Sequence, residues 1–153
     1  MATEKELLKQ KLIEFQQTIA QLKLNLLQKE ELFCKKETDA FLSLLDIMDA
    51  FETIEENLET KKGKLDKTAK MLGKNIHSIH RKLIRHFKSA SIVRMEFPGN
   101  RATMEHCKII ETQEDPELEN ETISEIVKNG YINNQDGTVL RKAEVITVLN
   151  KKI

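Results

Sequence analysis

The sequence predicts an α+β protein: a long N-terminal dimerising helix, a helical hairpin that forms a four-helix bundle in the dimer, and a small C-terminal β domain. Three observations predict it. Glu4 to Glu59 contains neither proline nor glycine. Within that run Leu8, Leu12, Phe15, Ile19, Leu22 and Leu26 step alternately by four and three, the a/d seam of a coiled coil. Past residue 90 the apolar period shortens to two, the alternation of a half-buried strand. The expected divisions are 1–39, a coiled-coil helix; 40–90, the hairpin of a dimeric four-helix bundle; and 91–153, a β domain.

A helix of ~60 residues rising ~1.5 Å each reaches ~90 Å, too long to bury its apolar stripe locally. A second copy is the simplest cover, so a homodimer is expected. Thr3 and Glu6 have capping-box spacing at the start. The seam weakens where Lys29 and Lys36 fall in its slots beside Phe33, because a buried ammonium is costly. From Ala40 the apolar residues widen around the helix, through Phe41, Leu44, Ile47, Met48, Phe51 and Ile54, as in a helix surrounded by others. Lys61, Lys62 and Gly63 suit the end of that helix, with Gly63 just past it. A second helix is expected from Leu65 to about Ser89, with Leu65, Ala69, Leu72, Ile76, Ile79, Leu83 and Phe87 as its apolar face. The short link implies an antiparallel hairpin. These patterns assign Leu8, Leu12, Phe15, Ile19, Leu22, Leu26, Phe33, Leu44, Ile47, Phe51, Leu72, Ile76, Ile79 and Leu83 to the dimer interface.

In the C-terminal third, residues 91–97 alternate, with Val93, Met95 and Phe97 expected on one face and Ile92, Arg94 and Glu96 on the other. Pro98-Gly99-Asn100 is a turn signal. Cys107–Thr112 and Thr122–Lys128 read as strands, with Gly130-Tyr131 ending the second. Val139 to Leu149 reads as one or two strands after a hairpin turn over 133–138 that contains Asp-Gly.

Net charge is zero but unevenly spread. Residues 64–91 carry eight Lys or Arg and one acid, Asp66, while the flanking segments are acidic. The expectation is complementary packing of this basic segment against its neighbours, and nucleic acid is not expected among the partners, although a basic stripe is the footprint such binders need. The two cysteines, Cys34 and Cys107, share no motif, which suits a reducing compartment. The N-terminal residues resemble neither a secretory signal nor a transit peptide, and no apolar run approaches a membrane span. A cytoplasmic protein without membrane association is expected.

No enzyme signature stands out. His77 and His80 lie three apart on the second helix without a carboxylate within a turn, so they are expected to be exposed or salt-bridged instead of metal ligands. His106 and Cys107 point to opposite sides of a strand and cannot form a catalytic pair. No glycine-rich phosphate loop is present. The reading is of no catalytic residues, no metal and no cofactor.

Gly130-Tyr131 and Val139-Leu140-Arg141-Lys142-Ala143-Glu144-Val145 resemble the C-terminal motif of the GrpE family, a Gly-Tyr pair, a short turn and a Val-Leu-Arg-Pro-Ala-x-Val run. Phe41 to Phe51 resembles the family's Leu-rich segment, and Leu72 to Phe87 its second bundle helix. The order of elements agrees along the chain. Lys142 stands where the family has Pro, Thr138 where a basic residue usually precedes the run, and the family's glycine after the second helix is absent from His86 to Ser89. The resemblance implies a nucleotide exchange factor of DnaK-type chaperones, a co-chaperone in protein folding and the stress response. It opens the nucleotide cleft of the chaperone's ATPase domain and accelerates ADP release. It also implies that Gly130, Tyr131, Val139, Leu140, Arg141 and Val145 form or support the partner-contact edge. For Arg141 that means a forked bond to a partner carboxylate or, equally, a salt bridge within the β domain; Tyr131 and Leu140 are alternatively core, and Gly130 is expected to serve a backbone conformation that other residues resist. The alternative function is a dimeric coiled-coil structural adaptor that has lost exchange.

Overall fold

The computed structural model describes residues 3–151, which form two compact units divided after Ala40. The first helix, α1, runs unbroken over Glu4–Thr60 and so contributes to both. Its start is the expected capping box: the Thr3 amide donates to Glu6 at 2.8 Å, and the Glu6 amide donates to the Thr3 hydroxyl at 3.3 Å. Every described residue up to Ala40 is exposed. Leu8, Leu12, Phe15, Ile19, Leu22 and Leu26 are each more than half exposed in the single chain.

The second unit begins where the apolar pattern of α1 broadens. Leu45 and Met48 are fully buried, packed with Phe87, Ile92 and Tyr131 into one core that Phe41, Leu42, Leu44 and Leu83 flank. The turn after α1 corrects the reading of Gly63. Lys62–Lys64 form a short 3-10 turn, and Gly63 keeps an ordinary negative φ instead of a left-handed cap. The second helix, α2, spans Lys67–Ser89 and starts two residues later than expected, because the Asp66 carboxylate caps it by accepting from the Ala69 amide at 2.7 Å.

Ser91 then takes φ 62°, the left-handed region that glycine fills most readily, and the chain reverses into the strands. The β domain holds two three-stranded sheets. The first orders β1 (Ile92–Arg94), β4 (Tyr131–Asn133) and β5 (Val139–Arg141), all antiparallel. The second orders β2 (Cys107–Gln113), β6 (Ala143–Val148) and β3 (Ile123–Lys128), with β2 parallel to β6 and β3 antiparallel to it. The 133–138 segment is the expected hairpin turn, with Gly137 at φ 75°. Val139 to Leu149 holds two strands, broken at Lys142.

From Val93 on the expected alternation holds, with Met95 buried, Val93 and Phe97 half-buried, and Arg94 and Glu96 exposed; Ile92 alone departs from it, buried in the core with Phe87 and Leu45 directly after the reversal at Ser91. β3 ends at Lys128, just ahead of Gly130-Tyr131 as expected, but the pair does more than end it: Tyr131 opens β4 in the first sheet.

Candidate partner-docking site

Acids on α1 recur at Asp46, Asp49, Glu52 and Glu55, every third residue. Each step of three turns an α-helix by ~300°, so the row winds through ~180° over nine residues. Successive acids therefore meet different elements. Asp49 takes the Arg141 guanidinium in a forked pair, with Nη1 and Nη2 donating at 2.8 and 2.7 Å. Lys128 approaches Asp49 at 3.7 Å and Asp46 at 4.0 Å. Glu52 pairs with Arg94 and accepts from the Asn129 amide at 2.7 Å and from the Tyr131 hydroxyl at 3.3 Å. Glu55 turns to α2 and bridges His77 Nδ1 at 2.8 Å and His80 Nδ1 at 3.0 Å.

Burial shapes the electrostatics of this joint. The Tyr131 ring is buried beside the Glu52 carboxylate, and desolvation first, then that negative charge, push its phenol up to about 12. Glu55 sits below the ordinary carboxylate range. Desolvation acts against its charge, and the hydrogen bonds and charges of His77 and His80 outweigh it. His80 is buried, its ring stacked on Phe51 with centroids 5.8 Å apart and its Nε2 3.2 Å from Met48 Sδ. Both histidines were expected to be exposed or salt-bridged; they are salt-bridged, with the carboxylate from α1, and the burial of His80 was not expected.

The six positions singled out from the sequence all fall at the joint of the two sheets, mostly out of solvent. Tyr131 is 4% exposed in the first core, with Leu140 packed against it. Val145 is fully buried in a second core with Cys107, Ile123 and Ala143. Val139 is half-buried. Arg141, with its side chain 16% exposed, is spent on Asp49, on the Asn129 carbonyl (3.1 and 2.8 Å) and on the Tyr131 ring 5.5 Å away. Arg141 makes a salt bridge, and it runs to α1 instead of staying within the β domain. Gly130 needs no unusual φ. A Cβ there would lie 2.5 Å from the Ala143 amide nitrogen and 2.7 Å from Met95 Sδ, so close packing, not backbone freedom, is what excludes a side chain. Lys142, in the break between β5 and β6, is exposed and donates to the Met104 carbonyl at 2.7 Å.

Of the residues expected at a dimer contact, Ile47, Leu72 and Ile79 are about half exposed, like Phe33 and the α1 seam. Leu44, Phe51, Ile76 and Leu83 are half-buried within the second unit. The β domain also exposes apolar side chains that the sequence reading passed over. Ile109, Val145 and Ile126 are register partners across the second sheet; Val145 is buried between neighbours exposed by 42 and 43%. Ile110 and Val127 are exposed beside them. No group of three or more His, Cys, Asp or Glu among the described residues is placed to hold a metal ion. No helix among them is long and apolar enough to cross a membrane.

The sequence model of the GrpE family matches residues 1–148. The chain belongs to the GrpE family. No individual curated protein matches it. For this GrpE chain, the match takes in α1, the hairpin and the β domain through Val148. The Gly-Tyr…Val-Leu-Arg run by which GrpE was legible supplies Tyr131 and Arg141, which bond the first sheet to Glu52 and Asp49 of α1.

Proposed function

We propose that this chain is a nucleotide exchange factor, a co-chaperone that binds the ATPase domain of a DnaK-type chaperone and accelerates ADP release. Membership of GrpE carries the reading. It involves no covalent chemistry: the factor binds the open nucleotide cleft better than the closed one and shifts that equilibrium by the difference. Linkage then requires ADP to weaken the factor's binding by the same ratio. The acting species is a homodimer zipped along Leu8, Leu12, Phe15, Ile19, Leu22 and Leu26, whose exposure in the single chain supports such a partner. The β domain reaches the chaperone with its exposed apolar row, including Ile109 and Ile126, while Gly130, Tyr131, Val139, Leu140, Arg141 and Val145 hold that surface in place.

Release of a fluorescent ADP analogue from a DnaK-type ATPase tests the reading. Acceleration by micromolar protein is expected, and its absence with the host's own chaperone would leave the adaptor alternative. Leu12→Lys with Leu22→Lys should halve the mass seen by light scattering. A lone-subunit mass for the unaltered protein would refute the dimer.

A further inference from the structure

The basic segment over 64–91 was expected to neutralise its acidic neighbours. Its lysines and arginines do not: the acids Asp46, Asp49, Glu52 and Glu55 of α1 are taken up by the two α2 histidines and by Arg94, Lys128 and Arg141 of the β domain. Lys67, Lys70, Lys74, Arg81, Arg85 and Lys88 are all exposed, and among the described residues none has a carboxylate partner. At ~100° per residue these six fall within one ~60° sector of α2, opposite the Leu72, Ile79 and Leu83 face. They extend over ~31 Å of helix axis. A groove of about 620 Å³ lies along the stripe between Lys74 and Lys88, with Ile84 the one apolar residue lining it.

We propose that this outer face of α2 binds the phosphate backbone of duplex DNA without sequence preference. Unpaired cations in a straight row match a polyanion of fixed spacing, one phosphate per ~3.4 Å of axis on each strand. A protein partner would need an apolar centre to the contact, which the stripe lacks. A single strand would need aromatic platforms for its bases, and no Phe, Tyr or Trp lies on this face. Arg81 and Arg85 are side chains that can also read guanine, but no Asn or Gln stands with them in the stripe, and a row of six cations is suited to phosphates, so the contact proposed is with the backbone. At the Lys70 and Lys74 end Glu55, Glu56 and Glu59 line the neighbouring groove. The attraction is therefore concentrated at Arg81, Arg85 and Lys88.

The test is titration of the full chain into a fluorescent ~20-base-pair duplex of arbitrary sequence across a salt series. With four to six phosphates engaged, log K should fall against log salt with a slope of about −4 to −5. Arg81→Gln, Arg85→Gln and Lys88→Gln together should reduce that slope by about 2.7 and weaken binding at least tenfold at low salt. Circular dichroism should be unchanged, because all three side chains are exposed. Absence of saturable binding at low salt, binding indifferent to the triple variant, tighter binding of the single strand, or equal binding of polyglutamate would each overturn the proposal.

Discussion

Breaking the Arg141–Asp49 pair should loosen the β domain from the helices by a predictable amount. Arg141→Met keeps the apolar stem and removes the fork, including its bonds to the Asn129 carbonyl at 3.1 and 2.8 Å. Exposed ion pairs contribute ~0–1 kcal/mol, whereas breaking a buried pair costs ~3–5. With side chains 16 and 25% exposed, this pair lies between those limits. We expect Arg141→Met to cost ~2–3 kcal/mol, a factor of roughly thirty or more in the unfolding equilibrium. Asp49→Asn should cost a similar ~2–3 kcal/mol: Lys128, 37% exposed, rehydrates, but the Arg141 guanidinium, 16% exposed, is left without its carboxylate. The double variant should cost ~1–1.5 kcal/mol less than the sum of the singles. Tyr131 is the only tyrosine and there is no Trp, so intrinsic emission during urea unfolding reports on this joint directly. Additive costs, with coupling under ~0.3 kcal/mol, would show that the fork contributes nothing and that the reasoning from partial burial is wrong.

Three further outcomes follow from the same geometry. Gly130→Ala should cost ~2–3 kcal/mol, because its Cβ would meet the Ala143 backbone at 2.5 Å; Gly63→Ala, with open space around it and an ordinary φ, should be neutral or slightly stabilising. Equal melting shifts for the two would refute the packing account. The Tyr131 phenol, raised to about 12 in the folded chain, should titrate near 10 in denaturant. Its contribution to stability is therefore complete below pH ~10 and lost as pH climbs towards 12; a folded-state phenolate transition at 10 would contradict the burial. Glu55, held below its ordinary value of 4.5, contributes stability that is present above that pH and lost as pH falls through its folded value. Glu55→Gln should flatten the acid limb of the stability profile below 4.5, and an unchanged limb would exclude the histidine bridge.

What could be read from the sequence was whatever is periodic or punctuated. The α1 seam and the width of the apolar face past Ala40 follow from spacing alone. So does the capping box at Thr3, whose two groups lie three residues apart. What could not be read was pairing at a distance. The acids at Asp46, Asp49, Glu52 and Glu55 are visible as a regular row, but a row that winds around its helix has no single partner face. Its partners lie 22 to 92 residues away. Burial of His80 escaped for the same reason: Phe51 and Met48, which enclose it, come from α1. The burial of Ile92, out of step with exposed Arg94 and Glu96, comes directly after the left-handed Ser91, which a non-glycine sequence does not announce.

The placement of the GrpE run changes how its variants are to be interpreted. Tyr131 and Val145 are buried in separate cores, Gly130 sits against the Ala143 backbone, and Arg141 is engaged with α1. A substitution at any of them perturbs the frame before it perturbs a contact. Loss of exchange there would therefore accompany a drop in stability and would not locate the chaperone interface. Ile109 and Ile126 are exposed flanks of the same register row, so polar substitutions there remove apolar surface without opening a core. If the β domain meets its partner through that row, exchange should fall while the unfolding midpoint holds. Only a separation of those two quantities identifies a docking residue.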